Sequence, residues 1–414
     1  MRRSSQGYIL VQVLIITACL ISLMAMFAAN QHAAMQDLGD KLRARRAEVA
    51  ARSAVQVALA TLEQANSNVV AQTDAWYQQG ANGDDLYQMP DNCSYRMQIV
   101  DAGSMVNVNT ATQAQLTQLP LTQAQIDCLL DWRETSLTPR GDGAKDQYYN
   151  GLVQPYNTRL GNLATLSELL LIKNWTGQTL YTNQTNMTSS ITLPTDPNGV
   201  TLPLASMLTV DSGAPNTSAS GAPLVNLSAR NLNAGALARL RLPPGVVTQI
   251  IARGPFTSFA RLLAVPGIST NMASTLLNGV TFTAGTRTTG KINLNTAGLS
   301  VLETVPGVTP SVATGIVSQQ SSGFTSLGAL ATASGVSMGV LRSIADSFTV
   351  GSDTWMVRAY GDCNGTGAAI EAVVRLAGGK AEIQTWDTIH SAGVPAWWGW
   401  RAQPTQTVDM EVGQ

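Results

Sequence analysis

The chain has 414 residues, with 25 Lys and Arg against 26 Asp and Glu, a net charge of −1 and only 12% charged residues. Capture of a polyanion by bulk electrostatics is therefore excluded, and Ser, Thr, Asn, Gln and Gly supply the polarity, as suits an exported surface. The length calls for two to four folded pieces, and two histidines far apart, His32 and His390, argue against a His-based metal or nucleophile site.

Residues 8–29 contain no Asp, Glu, Lys or Arg. As a helix they span about 33 Å, enough for a hydrocarbon core of about 30 Å. Arg2 and Arg3 precede them and hold the N-terminus in the cytoplasm, so the rest of the chain is expected outside it. A cleaved secretory signal has a shorter apolar core, and Ala28-Ala29-Asn30 is a poor cleavage site. A plain signal anchor and a prepilin leader remain. Ala, Leu, Arg, Gln and Glu dominate residues 33–63, so the helix is expected to run on to about Glu63. Val49, Val55, Leu59 and Leu62, with Ala50, Ala51, Ala54 and Ala58 around them, form its expected packing stripe.

Residues 66–92 are polar and irregular, and 95–100 alternate as a strand. Residues 354–361 and 368–376 read as a hairpin around Asp362-Cys363-Asn364-Gly365, and 381–386 as a further strand. The expected sheet is thus split, over 66–105 and 351–390, and everything between is an insertion. Of four cysteines, Cys19 lies in the membrane helix and Cys128 in an apolar helical pattern. Cys93 and Cys363 flank predicted strands, and are either a disulfide or two unrelated thiols.

The insertion repeats itself. Val106-Asn107-Val108-Asn109-Thr110-Ala111 returns as Ile292-Asn293-Leu294-Asn295-Thr296-Ala297, with a degraded copy at Val225-Asn226-Leu227-Ser228. The turns Leu119-Pro120-Leu121, Leu242-Pro243-Pro244-Gly245 and Val305-Pro306-Gly307 follow, and each copy adds a second hairpin. The spacing from Phe256 to Gly267 equals that from Phe324 to Gly335, which argues duplication. The expected copies are 106–181, 223–285 and 286–350, with a linker at 182–222 and an exposed tail at 391–414. Copy 1 carries a loop with Asp131, Glu134, Asp142, Asp146, Gly141 and Gly143, whose hard oxygens suit calcium. A solvated loop held by Tyr148, Tyr149 and Tyr156 is the other reading.

Gly7 after a short basic leader, before an apolar helix, resembles a type IV prepilin. The resemblance implies cleavage by a prepilin peptidase after Gly7 and methylation of the new N-terminus at Tyr8. Gln12 stands where pilins usually carry Glu, and the K class of type II secretion minor pseudopilins typically lacks that Glu. Copy 1 is similar to that class, in Leu129-Leu130-Asp131-Trp132, Thr138-Pro139-Arg140-Gly141-Asp142-Gly143-Ala144-Lys145-Asp146-Gln147-Tyr148-Tyr149 and Leu163-Ala164-Thr165-Leu166-Ser167-Glu168-Leu169.

The resemblance implies an α+β fold: a long N-terminal pilin-type helix, a small antiparallel sheet and a large inserted all-α domain of helix-hairpin-helix repeats. It further implies a non-enzymatic subunit of the inner membrane with a periplasmic head, capping a type II secretion pseudopilus for protein export. Its implied partners are the other minor pseudopilins and the major pseudopilin, with secreted substrate or the outer-membrane secretin at the tip. It also implies calcium in the acidic loop. The chain departs from the class in Arg133 and Lys145, where acids are common, and in its third copy. The rival is a membrane-anchored periplasmic helix-hairpin-helix DNA-binding protein of competence type. Residues 293–326 hold no Lys or Arg, which speaks against nucleic acid.

Overall fold

A computed structural model of the chain describes residues 5–80, 83–182, 191–230, 232–389, 391 and 393–409. Most of the expected leader, residues 1–4, and His390 lie outside the described residues.

The long helix α1 runs from Ser5 to Leu62 without a break. From Ile9 to about Glu48 its residues are almost all exposed, large apolar ones included: Leu10, Ile21, Met24 and Phe27 are each more than half accessible. This half contains an apolar stretch long enough to cross a membrane.

The second half packs on a sheet through its alanines. Ala47, Ala50, Ala51, Ala54 and Ala58 are fully buried, with Val55 and Leu62. The stripe is thus rotated from the expected one, and Val49 remains 48% exposed. Small side chains let the two backbones approach. A Cβ on Gly361 would lie 2.1 Å from the Ala47 carbonyl oxygen and 2.6 Å from the Ala51 nitrogen.

The sheet has six strands: β1 (Asp85–Met89), β2 (Cys93–Asp101), β3 (Thr354–Cys363), β4 (Thr366–Ala377), β5 (Lys380–Ile389) and β6 (Gln406–Asp409). Their order is β5-β4-β3-β2-β1-β6, and only the β1–β6 pair is parallel. Residues on β2 and β3 alternate as a two-faced sheet requires. Tyr95, Met97, Ile99, Val357 and Ala359 meet α1. Arg96, Gln98, Arg358 and Tyr360 occupy the other face.

That other face is covered by the segment expected as a tail. Trp398 and Trp400 are 3% and 7% exposed. Their indole N–H groups donate to Glu371 (2.9 Å) and Gln98 (2.8 Å). Arg96 stacks over Trp400 and donates to the Gly83 and Arg401 carbonyls. Residues 393–409 are therefore a structural layer, because two buried indoles need both apolar cover and an acceptor.

The insertion leaves the sheet after Asp101 and returns at Thr354. Each copy closes on itself through a two-residue parallel ladder between its first and last residues. Val106-Asn107 pairs with Leu208-Thr209, Val225-Asn226 with Val280-Thr281, and Ile292-Asn293 with Phe348-Thr349. Copy 1 therefore extends to Thr209, and the expected linker contributes its closing strand. Gly213–Pro215 also pairs with Arg287–Thr289, so little of 191–222 is free connector.

The repeated asparagines explain the closure. The side-chain oxygens of Asn107, Asn226 and Asn293 accept the N–H two residues on, at 2.9, 2.9 and 3.0 Å. The second asparagine staples the second hairpin. Asn109 exchanges bonds with the backbone of Leu163, and Asn295 with that of Phe324. Copy 2 has Ser228 at this position, and the Phe256 N–H turns to the Leu227 carbonyl instead.

Candidate functional site

Three regions carry the predicted site residues: the start of α1, the end of the sheet at Cys93, and the acidic loop of copy 1.

Gly7 and Tyr8 are helical within α1, and the Tyr8 side chain lies outside the described residues. Gln12 and its neighbours are exposed, so among the described residues the first half of the rod packs against no other part of the chain. Cys93 and Cys363 stand directly opposite each other on β2 and β3 and are joined as a disulfide, with Cα atoms 4.2 Å apart. The bridge spans the whole insertion, so it ties the early half of the sheet to the late half. Cys19 is exposed on α1 and Cys128 is buried. Burial pushes the Cys128 thiol up to about 11, and its S–H points at the Asp142 carbonyl at 3.4 Å.

The acidic loop leaves the helix Gln123–Arg133, which a Thr122–Gln125 capping box opens. Asp131 is 1% exposed. Its two oxygens accept from the Arg140 guanidinium (2.9 Å) and the Arg140 backbone N–H (3.0 Å). The same guanidinium reaches Glu134 at 2.7 Å, and holds that carboxyl below the usual range. The Lys145 ammonium donates to the main-chain carbonyls of Asp131 and Glu134. Burial lowers the Lys145 pKa, opposed by Asp131 and Glu134. Gly143 is required by crowding: a Cβ there would sit 1.8 Å from Asp131 Oδ2.

The other two acids are not held by Arg140 or Lys145. Asp146 accepts the Thr158 N–H at 2.7 Å, which lowers its pKa. The Asp142 N–H points at Asp127 at 3.4 Å. The expected set of Asp131, Glu134, Asp142 and Asp146 is therefore not convergent, because Arg140 folds between the first two. Among the described residues, no group of three or more His, Cys, Asp or Glu side chains is placed to hold a metal ion. This donor arrangement does not fit calcium, which needs six to eight oxygens free of fixed cations. Sequence reasoning counted Lys145 as a departure but missed Arg140, whose role depends on the chain reversal at 139–141. Behind the loop, Trp132, Tyr149 and Tyr156 form an aromatic cluster with ring centres 5.1–6.2 Å apart. Trp132 donates to Glu168 at 2.9 Å.

Residues 99–184, from the end of β2 through this loop, match the model of the family described as type II secretion system, protein K. Over that stretch the chain is similar to the type II secretion protein K family. Residues 288–349 match the helix-hairpin-helix motif, and so coincide with copy 3. One chain of the crystal structure of the GspK-GspI-GspJ complex from the enterotoxigenic Escherichia coli type 2 secretion system aligns at 13% identity and a TM-score of 0.48. That alignment covers 87% of this chain and 100% of that one. No curated protein matches the sequence.

The hairpins of copy 3 turn inward on each other. Gly307 takes the left-handed conformation, and a Cβ there would lie 2.8 Å from Ser343 Oγ. Gly335 faces Val312 in the reciprocal contact, as Gly267 faces Val246 in copy 2. The first turn of copy 2 differs from the expected one. Arg241, rather than Gly245, takes the positive φ, and Pro244 starts the next helix.

Proposed function

We propose that this K-like subunit caps the tip of a pseudopilus and acts by assembly rather than by catalysis. The observation that carries the reading is the placement of the protein K domain. It is inserted between neighbouring strands β2 and β3, at the far end of a rod whose first half packs on nothing else among the described residues. An exposed apolar rod suits storage in the inner membrane and then packing against the rods of other pseudopilins. A head widened by three hairpin copies suits the terminal position, where no subunit follows. Gln12 agrees with that position. A charge in the membrane is costly unless a neighbour pairs with it, and a terminal subunit has no later neighbour to pair with.

The proposed topology has the leader in the cytoplasm and the sheet and insertion in the periplasm, where the Cys93–Cys363 bridge can persist. Cleavage after Gly7 and methylation at Tyr8 belong to the same reading. The protein aligned above comes from a GspK-GspI-GspJ complex, and other minor pseudopilins are the proposed partners of this chain. Prepilin peptidase, the major pseudopilin, and secreted substrate or the secretin complete the set.

Two measurements test the proposal. Gly7→Val should leave the leader attached, seen as an unshortened mass, and abolish secretion. Raising the amount of this subunit relative to the major pseudopilin should shorten assembled pseudopili. Unchanged length would remove the capping role while leaving membership of the assembly intact.

A further inference from the structure

We infer that the acidic loop of this chain is closed by its own cations, Arg140 and Lys145, and needs no calcium. The inference concerns the loop alone and does not rest on the capping role.

The loop has the ingredients of a cation site: two carboxylates, and two carbonyls at the end of a helix. Those carbonyls lack intrahelical partners and lie at the negative end of the helix dipole. A divalent ion would take these same hard oxygens. In this chain each is already engaged. Arg140 bridges Asp131 and Glu134 at 2.9 and 2.7 Å, and Lys145 bridges the carbonyls of the same two residues. Two negative charges, Asp131 and Glu134, meet two positive ones, Arg140 and Lys145, so this cluster of four is neutral without a metal.

Geometry makes the arrangement hard to displace. Asp131 is buried and also accepts the Arg140 backbone N–H, so side chain and main chain of one residue grip it together. Gly143 packs against the carboxylate so closely that even a Cβ on it would collide with Asp131 Oδ2. A calcium ion entering here would have to expel a guanidinium from a buried carboxylate and leave it with a new unpaired charge. Breaking such a pair is costly.

The test uses the full chain in detergent, with metal removed by chelator or with calcium added to about 10 mM, above the weakest extracellular sites of about 1 mM. The readouts are the melting temperature and the amide exchange of residues 134–149. The wild type should melt and exchange identically in both. Arg140→Gln should melt lower and exchange faster in both. Adding Asp131→Asn to Arg140→Gln should recover part of the loss, since it removes the charge left stranded. A calcium-dependent rise in the wild-type melting temperature, or slower exchange of the loop with calcium, overturns the inference. So does an Arg140→Gln chain that behaves as wild type, or a double variant that recovers nothing.

Discussion

The side-chain amide of Asn293 donates to Asp101 Oδ2 at 2.8 Å, across 192 positions of sequence. The same amide reaches the Val70 carbonyl at 3.0 Å, and Thr296 adds a third bond, to Asp101, at 2.6 Å. Asp101 is the last residue of β2, and Asn293 opens copy 3. This buried cluster is thus one of the joints between the hairpin insertion and the sheet. Burial drives the Asp101 carboxyl upward, and its donors oppose the shift. Asn293→Ala would remove one of the donors to the buried Asp101 carboxyl and release the turn at Asn295. The expected cost is roughly 1–3 kcal/mol. Chemical denaturation should show a lower midpoint with an unchanged slope. A variant as stable as wild type would mean the joint is held elsewhere.

A second joint is ionic. Arg287 pairs with Asp353 at 2.6 Å and with Asp211 at 3.0 Å, and Asp211 also meets Arg375 of β4. All four side chains are less than a third exposed, so the network locks the 210s segment and copy 3 to the sheet. Gly213 lies against the guanidinium, where a Cβ would come within 2.2 Å of Arg287 Cζ.

The contact of α1 with β3 sets a prediction on packing. Gly361→Ala would place a methyl where the Ala47 carbonyl now sits, with both neighbours fixed as backbone. The helix must lift from the sheet, at an expected cost of about 1–3 kcal/mol. Amide exchange should rise over residues 47–58 while copies 2 and 3 keep their protection. Equal exchange in both regions would show that helix and insertion loosen as one unit.

The disulfide gives a third prediction. Its two cysteines are 270 residues apart, so the bridge closes a very long loop in the unfolded chain. Cys93→Ser with Cys363→Ser is expected to lose about 2–5 kcal/mol. The double variant should also run more slowly on a non-reducing gel, as reduced wild type does. Coincident mobilities of oxidised and reduced wild type would show that the thiols are free.

The parts visible in the sequence were those with a local signal. The rod shows as an unbroken helical composition ending within a residue or so of Leu62. The hairpin copies show as repeated asparagine turns, and the insertion as a sheet signal on both sides of them. What stayed hidden depends on contacts with no local signature. Trp398 and Trp400 read as exposed because their acceptors, Glu371 and Gln98, lie on strands far away in sequence. The closing ladders are two residues long, too short for periodicity, so Leu208-Thr209 read as linker. Alanine carries little hydrophobic contrast, so Val49 was read into the packing stripe of α1, whose centre is the alanines beside it. In the acidic loop the carboxylates were visible, but the fold of Arg140 between them was not.

That guanidinium sets the behaviour of the loop in acid. Its bond to Glu134 holds the carboxyl below its unfolded value of about 4.5. A group depressed in the folded state stabilises fully above its unfolded pKa, and the contribution disappears as pH falls through the folded value. The loop should therefore hold its protection at and above about pH 5 and lose it below about pH 4.5. Glu134 is 41% exposed, so solvent screening keeps its contribution small. Glu134→Gln should flatten this dependence while leaving Asp131 paired, and Arg140→Gln should remove it and lower protection at neutral pH as well. The measurement is amide exchange of residues 134–149 against pH, read beside the copy 3 amides as an internal reference. If the loop and the reference lose protection together in both variants, the acid response belongs to the whole insertion and not to this clamp.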